Sequence, residues 1–384
     1  MVRLRELPSV GTIGRYQVLG RIAKGGMAEI FLARQEGPRN AWRPLVVKRV
    51  LSHLTDDPQY VESFVHEAEL CMRLDHPNIC AVYDFGQHGN DYFIAMEYVD
   101  GVSLRQLVDR MGPLPIEIAA RVIADVSLAL HYAHTATDDE GKPLGLVHRD
   151  VTPENIMIGF DGRVRLLDFG IAKAETQTTK TQAGVLKGKI AHMSPEQYKG
   201  EPLDGRADLF SLGATFYEAL VGKNPFERQA EAHTVAAILF EENVPDPKED
   251  REEVPAGLSI VVRSMLAKDP EERTESGEAV AEQIETWLRG SGHRVRSADL
   301  AALLDEHFAR EKESGPKLDR TPLEHVVLDP LSSAVQSAEL DAFVGETMRA
   351  EKRKTMMLAI AAAVVVVGVL GWFVWRLATS PAPT

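Results

Sequence analysis

The stretch His148-Arg149-Asp150-Val151-Thr152-Pro153-Glu154-Asn155 is followed, thirteen residues after its last member, by Asp168-Phe169-Gly170. The two segments have the spacing H-R-D-x-x-x-x-N and D-F-G. Transfer of a phosphoryl group needs a carboxylate that orients the attacking hydroxyl and accepts its proton, and oxygen ligands for the Mg²⁺ that neutralises the phosphates. Asp150 suits the first task, and Asn155 and Asp168 suit the second. Any one string could arise by chance, but their order and spacing together predict phosphoryl transfer.

A glycine-containing loop lies upstream, in the segment Ile22 to Ile30 between two strand-like runs. Glycines at 25 and 26 allow the backbone to approach phosphate oxygens without a Cβ atom in the way. By itself this signal is weak, because Gly25-Gly26 would serve equally well as a plain hairpin turn.

Lys48 ends a strand-like run, and Glu67 follows nineteen residues later in a segment with helical periodicity. A lysine so placed can hold the α- and β-phosphates of a nucleotide if an acidic partner fixes it. A lone Lys–Glu pair is more often surface charge, so the pair gains its meaning from the motifs downstream.

The secondary-structure pattern changes near residue 100. Before that point the chain is strand-rich, at 16–34, 45–50 and 92–98, around one helical segment at 60–74. After it the pattern is mostly helical. The long segments are 116–134, 208–220 and 258–266. A β-rich part followed by an α-rich part predicts a bilobal α+β domain with a cleft.

Residues 16–288 resemble the protein kinase family, and the loop Gly-Gly-Met-Ala-Glu-Ile is most similar to bacterial eukaryotic-type (Hanks-type) Ser/Thr kinases. The resemblance covers about seventy per cent of the chain. It implies a protein kinase fold with a β-rich N-lobe at about 16–100 and an α-rich C-lobe at about 101–288. It also implies ATP and Mg²⁺ as cofactors, with Mn²⁺ as an alternative ion, and proteins as substrates.

The resemblance further implies roles in the nucleotide site. Lys48 and Glu67 would form the ion pair of the active state. Met96 would be the gatekeeper, and Glu97 and Val99 would present hinge backbone to adenine. The residues implied in nucleotide binding are Ile22, Ala23, Gly25, Gly26, Ile30, Lys48, Met96, Glu97 and Val99.

Three more residues acquire roles through the resemblance. Ser194-Pro195-Glu196 stands where the family has Ala-Pro-Glu, and Glu196 would pair with Arg273. Asp208 would brace the catalytic loop from a central helix.

Five residues depart from the family pattern. Ala23 and Ala28 replace the outer glycines of the loop, and Val46 stands where the family prefers Ala. Thr152 replaces the lysine two residues after the catalytic Asp, and Lys189 replaces a threonine in the substrate-side loop. We hypothesise that Lys189 supplies the ammonium group that Thr152 lacks.

The loop between Asp168 and Glu196 contains four threonines, at 176, 178, 179 and 181. Arg149, beside the catalytic Asp, offers a cation for a phosphate on this loop. We predict autophosphorylation at Thr181, by its distance from Gly188, and next at Thr179, with a homodimer as one arrangement for it. The alternative is a flexible threonine-rich loop without a switch.

Three other functions stay open. A membrane-tethered pseudokinase scaffold would bind nucleotide and signal by docking, but it has no chemical need to keep Lys48, Glu67, Asp150, Asn155 and Asp168. Phosphotransfer to small molecules is less favoured, because 188–196 resembles a protein-substrate loop. Tyrosine specificity is less favoured, because 152–154 looks Ser/Thr-type.

The composition and the N-terminal sequence indicate which partners and which cellular compartment to expect. A formal net charge of -14 argues against nucleic-acid binding, which needs a basic surface. Two cysteines, Cys71 and Cys80, are too few for a disulfide framework and fit a reducing compartment. Residues 1–19 never sustain the apolar run of a secretory signal.

Residues 356–375 contain no charged side chain. A helix of this length spans the roughly 30 Å hydrocarbon core of a bilayer. The cations before it, Arg349, Lys352, Arg353 and Lys354, outnumber Arg376 after it, so the positive-inside rule predicts a single-pass anchor in the inner (cell) membrane with a cytoplasmic kinase domain. A buried core helix is the alternative.

The predicted organisation has five parts. They are an N-terminal extension (1–15), a kinase domain (16–288), a juxtamembrane linker with one helix at 298–313 (289–355), a transmembrane helix (356–375) and a short extracytoplasmic tail (376–384).

Overall fold

The computed structural model describes residues 2–26, 28–55, 58–89, 91–169 and 190–323. These residues form a β-rich N-lobe followed by a helical C-lobe, which confirms the predicted bilobal fold. Residues 97–101, which we call the hinge, connect the two lobes.

The N-lobe is built on one antiparallel sheet. Its strands are β1 (Gly11–Ile13), β2 (Tyr16–Lys24), β3 (Ala28–Glu36), β4 (Trp42–Val50), β5 (Val82–His88) and β6 (Asp91–Glu97). Their order in the sheet is β1-β2-β3-β4-β6-β5. Because β1 pairs only with Tyr16 to Val18, the second half of β2 lies at the edge of this sheet.

The described part of the N-lobe contains three α-helices: α1 (Val2–Glu6), α2 (Ser52–Thr55) and α3 (Pro58–Met72). Phe64 and Ala68 of α3 pack against Val50, Ile94 and Met96 of the sheet. This contact places α3 behind β4, the strand that carries Lys48. The strands and the helix predicted between 16 and 98 are confirmed, with slightly different ends.

The C-lobe contains a small sheet and eight helices among the described residues up to 290. The strands are β7 (Gly101–Ser103), β8 (Ile156–Gly159) and β9 (Val164–Leu166). The helices are α4 (Leu104–Met111), α5 (Ile116–His134), α6 (Pro195–Lys199), α7 (Gly205–Val221), α8 (Glu231–Phe240), α9 (Pro247–Asp250), α10 (Ala256–Met265) and α11 (Gly277–Gly290).

Helix α7 is the centre of the C-lobe. Every residue from Ala207 to Leu220 is buried, including the polar residues among them, so the helix is surrounded by the core. The Asp204 carboxylate caps its first turn by accepting from the Arg206 N–H, and Gly222 ends it with a φ of 85°. The helix predicted at 208–220 is therefore confirmed, and it can hold a polar side chain rigidly in the core.

Helices α5 and α11 pack closely against each other. A Cβ atom on Gly277 would lie 2.2 Å from the Ser127 carbonyl oxygen, so glycine is required where α11 begins. The capping hydroxyl of Ser276 accepts from the Ala279 N–H at 3.1 Å. The end of α5, which carries His134, also approaches the start of α7, where a Cβ on Gly205 would lie 2.4 Å from His134 Nδ1.

The chain after α11 folds back on the domain. Helices α12 (Ser297–His307) and α13 (Ala309–Ser314) follow, and residues 316–323, which we call the strap, continue to the N-lobe. Leu300, Leu304 and Phe308 are buried in the C-lobe core. The single helix expected at 298–313 is interrupted at Phe308, and residues 297–323 are packed on the domain where a linker was expected. Where the linker begins and ends stays a prediction.

The N-terminal segment is also part of the folded domain. Leu4 of α1 and Ile13 of β1 are buried in N-lobe clusters. No helix among the described residues is both long enough and apolar enough to cross a bilayer. The segment 356–375 lies outside those residues, so the membrane anchor stays a prediction.

Candidate active site

The catalytic loop, residues 148–155, contains a strained backbone position. Arg149 has a φ of 64°, in the left-handed region that residues with side chains seldom adopt. Such a conformation costs on the order of 1–3 kcal/mol and persists only where neighbouring groups enforce it. Asp168, with a φ of 48°, is in the same region.

Asp208 on α7 holds the Arg149 backbone from one side. Its fully buried carboxylate accepts from the backbone N–H groups of His148 and Arg149, both at 2.7 Å. His134 at the end of α5 places its Nε2 atom 2.8 Å from the same carboxylate. The bracing role implied for Asp208 matches this geometry.

His148 supports the loop from inside. Its Nε2 atom lies 2.7 Å from the Leu167 carbonyl oxygen, and its Nδ1 atom accepts from the Asp150 N–H at 3.2 Å. Burial lowers the pKa of His148. A neutral imidazole protonated at Nε2 satisfies both contacts.

Asp150 and Asn155 are adjacent across a short 3₁₀ turn at Pro153–Asn155. The Asn155 amide nitrogen donates to the Asp150 carbonyl oxygen at 2.7 Å and to its carboxylate Oδ2 at 3.0 Å. The orientation of the Asp150 carboxylate is therefore set within the loop. The amide oxygen of Asn155 remains as the atom that could ligate a cation.

Lys48 of the N-lobe contacts Asp168 of the C-lobe. The Lys48 Nζ atom lies 3.0 Å from Asp168 Oδ2. The other carboxylate oxygen, Oδ1, is buried and has no hydrogen-bond partner among the described residues. A buried carboxylate oxygen without a hydrogen-bond partner fits a hard divalent cation, which prefers oxygen ligands.

The residues implied in adenine binding lie along the hinge. Met96 on β6 is buried and packs with Phe64 and Ala68 of α3. The Glu97 N–H donates to the Ala81 carbonyl, and the Glu97 side chain pairs with Arg165. The backbone groups of Val99 make no hydrogen bond with other described residues, so they are available to a base.

The residues implied in phosphate binding lie on the β2–β3 hairpin. Ile22 and Ala23 end β2, and Ile30 on β3 is opposite Lys48 on β4. The Gly25 N–H closes the turn on the Ala28 carbonyl at 2.8 Å. A Cβ on Gly26 would meet nothing within 4 Å, so open space surrounds this turn.

A charge network centred on the buried Glu218 contacts the catalytic loop and was not found from the sequence. Arg105 on α4 donates to Glu154 at 2.9 Å and to Glu218 at 2.5 Å. The His192 Nε2 atom lies 3.1 Å from the second oxygen of Glu218. Although burial opposes it, the His192 and Arg105 contacts lower the pKa of Glu218 to about 2. Nothing in the local pattern signals such a network, because its members are distant in sequence.

Helix α6 reaches the catalytic loop through Gln197. The Gln197 amide nitrogen donates to the Arg149 carbonyl at 3.1 Å, and its amide oxygen accepts from the Ser194 N–H at 2.9 Å. The neighbouring Glu196 pairs with Arg273 in a buried two-point contact, at 2.5 and 2.8 Å, as the resemblance implies. Gln197 therefore binds the carbonyl group of Arg149, whereas Asp208 binds the N–H group of the same residue.

Several predicted site residues lie outside the described part of the chain. They are Lys189, Thr179 and Thr181, together with the side chain of Glu67. Their contacts stay predictions.

The comparison with protein families gives the same result as the geometry. The model described as "Protein kinase domain" matches residues 16–284. This chain belongs to the protein kinase family. The order of Lys48, Asp150, Asn155 and Asp168 in the kinase domain agrees with that assignment.

Three curated relatives of this kinase come from bacteria. It is 40% identical over 310 residues to "Tyrosine-protein kinase MasK" of Myxococcus xanthus, covering 80% of this chain and 48% of that protein. It is 37% identical over 267 residues to "Serine/threonine-protein kinase PknB" of Mycobacterium leprae, covering 68% and 41%. It is 33% identical over 273 residues to "Serine/threonine-protein kinase PrkC" of Bacillus subtilis, covering 71% and 40%. The chain thus spans about half the length, or less, of the curated relatives it matches.

A solved structure supports the fold of this kinase. The PknI kinase domain of Mycobacterium tuberculosis superimposes with a TM-score of 0.56 at 28% identity, covering 72% of this chain and 98% of that one.

Replacing Gln197 by Met keeps the length of the side chain and removes both amide hydrogen bonds. Because such a bond is worth about 0.5–1.5 kcal/mol, we expect kcat to fall about fivefold to tenfold as the catalytic loop loses its second support. The KM for ATP should stay unchanged, since Gln197 is remote from the β2–β3 hairpin. Steady-state kinetics check this, with Lys199→Ala, an exposed change on the same helix, as the control. Wild-type kcat in Gln197→Met would show that Asp208 alone holds the loop.

Proposed function

We propose that this protein is an active, membrane-anchored Ser/Thr protein kinase that transfers the γ-phosphoryl group of ATP to protein hydroxyls. The observation that carries the proposal is the contact of 3.0 Å between Lys48 of the N-lobe and Asp168 of the C-lobe. In the loop that precedes Asp168, a hydrogen bond of 3.0 Å from Asn155 orients the Asp150 carboxylate. A phosphate donor and a hydroxyl acceptor could meet between these groups.

The proposed chemistry uses the Asp150 carboxylate as the group that receives a proton. The hydroxyl oxygen of the substrate bonds to the γ-phosphorus of ATP, and the bond from that phosphorus to the β-phosphate oxygen breaks, releasing ADP. The hydroxyl proton passes to Asp150. Asn155 holds Asp150 Oδ2 in place during this transfer, so little reorganisation is needed.

The nucleotide and its metal would be held from both lobes. When bound, Mg²⁺ or Mn²⁺ would neutralise phosphate charge, and Asp168 Oδ1 with the Asn155 amide oxygen are the groups suited to hold it. Lys48 would bind the α- and β-phosphates, and Glu67 would orient Lys48. Ile22, Ala23, Gly25, Gly26 and Ile30 would surround the phosphates.

Serine and threonine are the proposed acceptors. The stretch 152–154 looks Ser/Thr-type, and PknB and PrkC are named serine/threonine kinases. MasK, however, is named a tyrosine kinase, so the acceptor has to be tested directly.

Autophosphorylation is the proposed means of regulation. The Nε atom of Arg149 is buried and has no hydrogen-bond partner among the described residues. A guanidinium group with an unused donor, next to Asp150, suits a phosphate on the loop at 170–189. Thr181 is the first candidate and Thr179 the second, and two copies of the chain could phosphorylate each other.

Asp150→Asn removes the proton acceptor and keeps the shape of the side chain. We expect transfer of ³²P from ATP to a generic protein substrate to fall about 10²- to 10⁴-fold, the usual contribution of such a group. Phosphoamino-acid analysis should show phosphoserine and phosphothreonine. Mass spectrometry should find phosphate on Thr181 or Thr179 in the wild type and not in Asp150→Asn.

Other outcomes would favour other functions. No transfer by the wild type, with nucleotide still bound, would favour the scaffold. Equal transfer by both proteins would show that the transfer does not depend on Asp150 and would contradict the proposed chemistry. Phosphotyrosine alone would identify a tyrosine kinase.

Lys189 is proposed to replace the ammonium group missing at Thr152. The Thr152 side chain is buried, and its hydroxyl has no partner among the described residues, so this side chain brings no charge to the site. Because one preorganised electrostatic contact is worth about 10²- to 10³-fold in kcat, Lys189→Ala should lower kcat by that factor and leave ATP binding nearly unchanged. Lys187→Ala is the matched control, and near-normal turnover in Lys189→Ala would mean that Lys189 is only a solvated charge.

The membrane anchor predicts a change in cell fractionation. Deleting residues 356–384 should move the kinase from the membrane pellet to the soluble fraction. Its kcat and KM should change less than about twofold, because no catalytic motif lies in the deleted part. Deleting only 376–384 is the control and should leave the protein in the pellet. A protein without 356–384 that still pellets would contradict the anchor.

A further inference from the structure

The helices after the kinase motifs are attached firmly to the C-lobe. Phe308, between α12 and α13, is buried, and the guanidinium of Arg110 on α4 lies over its ring at 3.9 Å. Arg110 also donates to the His307 carbonyl and to the Glu311 carboxylate, both at 2.6 Å. The start of the strap is therefore fixed relative to α4.

The strap then pairs with the free edge of the N-lobe sheet. The Arg21 N–H donates to the Asp319 carbonyl at 2.8 Å, and the Asp319 N–H donates back to the Arg21 carbonyl at 2.9 Å. The Leu323 N–H donates to the Val10 carbonyl at 3.0 Å. The strap thus supplies backbone partners to β2 after β1 has ended.

Side chains reinforce this pairing. Leu318 packs on an apolar cluster that contains Leu4, Leu19 and Leu32. A Cβ on Gly20 would lie 2.9 Å from Leu318 Cβ and 3.1 Å from the Asp319 carbonyl oxygen. The strap can approach β2 this closely only because residue 20 has no side chain.

An ion-pair chain leads from the strap to the strand of Lys48. The Asp319 carboxylate pairs with Arg21 at 2.5 Å, Arg21 pairs with Glu29 at 2.7 Å, and Glu29 pairs with Arg49 at 2.6 Å. Arg21 and Glu29 lie on the two sides of the β2–β3 hairpin. Although burial opposes it, the Arg49 and Arg21 contacts lower the pKa of Glu29. The strap therefore contacts the base of the hairpin that carries Ile22 and Ala23.

We propose that Leu318 and Asp319 of the strap are positioning residues for nucleotide binding, because they hold the β2–β3 hairpin in its binding position relative to the C-lobe. They do not touch the nucleotide. A hairpin held in advance loses less conformational entropy when phosphates bind to it. The inference rests on one part of the proposed function, namely that the β2–β3 hairpin binds ATP.

The test measures nucleotide affinity separately from turnover, in the purified full chain. The probe is the non-hydrolysable analogue AMP-PNP with Mg²⁺, followed by calorimetry. Asp319→Ala and Leu318→Ser should each raise the Kd about fivefold to tenfold, while kcat at saturating ATP changes less than about twofold. Asp319→Glu should restore most of the affinity, because it keeps the carboxylate. Lys317→Ala is the matched control, since Lys317 is exposed on the same strap.

Gly20→Ala tests the same contact from the N-lobe side, because a methyl group at residue 20 would collide with the strap. It should weaken AMP-PNP binding as much as Leu318→Ser does, and the two changes together should be no worse than either alone. Additive effects, or affinities equal to that of Lys317→Ala, would overturn the proposal. Equal falls in kcat and affinity would also overturn it.

Hydrogen exchange of the wild-type protein tests the proposal even if the variants do not fold. Addition of AMP-PNP should slow hydrogen exchange at amides 318–323 as well as 20–30, although the strap is remote from the phosphates. Protection at 20–30 alone would overturn the proposal. Absence of AMP-PNP binding to the wild type would instead contradict the proposed function.

Discussion

The buried carboxylate of Asp208 connects the core of the C-lobe to the chemistry at its surface. A charge with no exposure to water must be compensated by hydrogen bonds, and here two backbone N–H groups and His134 supply them. In return the carboxylate holds Arg149 in a left-handed conformation that it would not adopt alone. Asp150 follows directly, so the direction of its carboxylate depends on the position of α7. That position is set by apolar packing along the whole helix.

The same loop is held at other points by polar side chains from distant parts of the chain. Gln197 binds the Arg149 carbonyl, and Arg105 binds Glu154 and Glu218 below the loop. The lowered pKa of Glu218 means that this support is fully present above the ordinary glutamate pKa of 4.5 and is lost as the pH falls towards about 2. The site is therefore rigid in the C-lobe across the physiological range.

The N-lobe half of the site is held differently. Lys48 and the β2–β3 hairpin belong to a sheet that meets the C-lobe through the hinge, through the Lys48–Asp168 contact and through the strap. Beside these contacts, Cys71, Leu74 and Ile79 share an apolar cluster with Leu166 and Phe169 of the C-lobe. None of the described residues of the β2–β3 hairpin belongs to that cluster, which suits a part of the cleft that must admit a nucleotide and release its product.

The catalytic motifs could be predicted from the sequence, because the residues that form them are close together in the chain. Asp150 and Asn155 meet across a single 3₁₀ turn, and the regular periodicity of α5 and α7 predicted both helices before any contact was known. The resemblance to kinases already implied that Asp208 braces the catalytic loop, but it did not reveal the other supporting side chains. Gln197 and Asp319 lie far along the chain from the groups they hold, and nothing in their local sequences marks them as supports. A hydrogen bond across such a separation leaves no period in the sequence, since it exists only after packing has brought the two segments together.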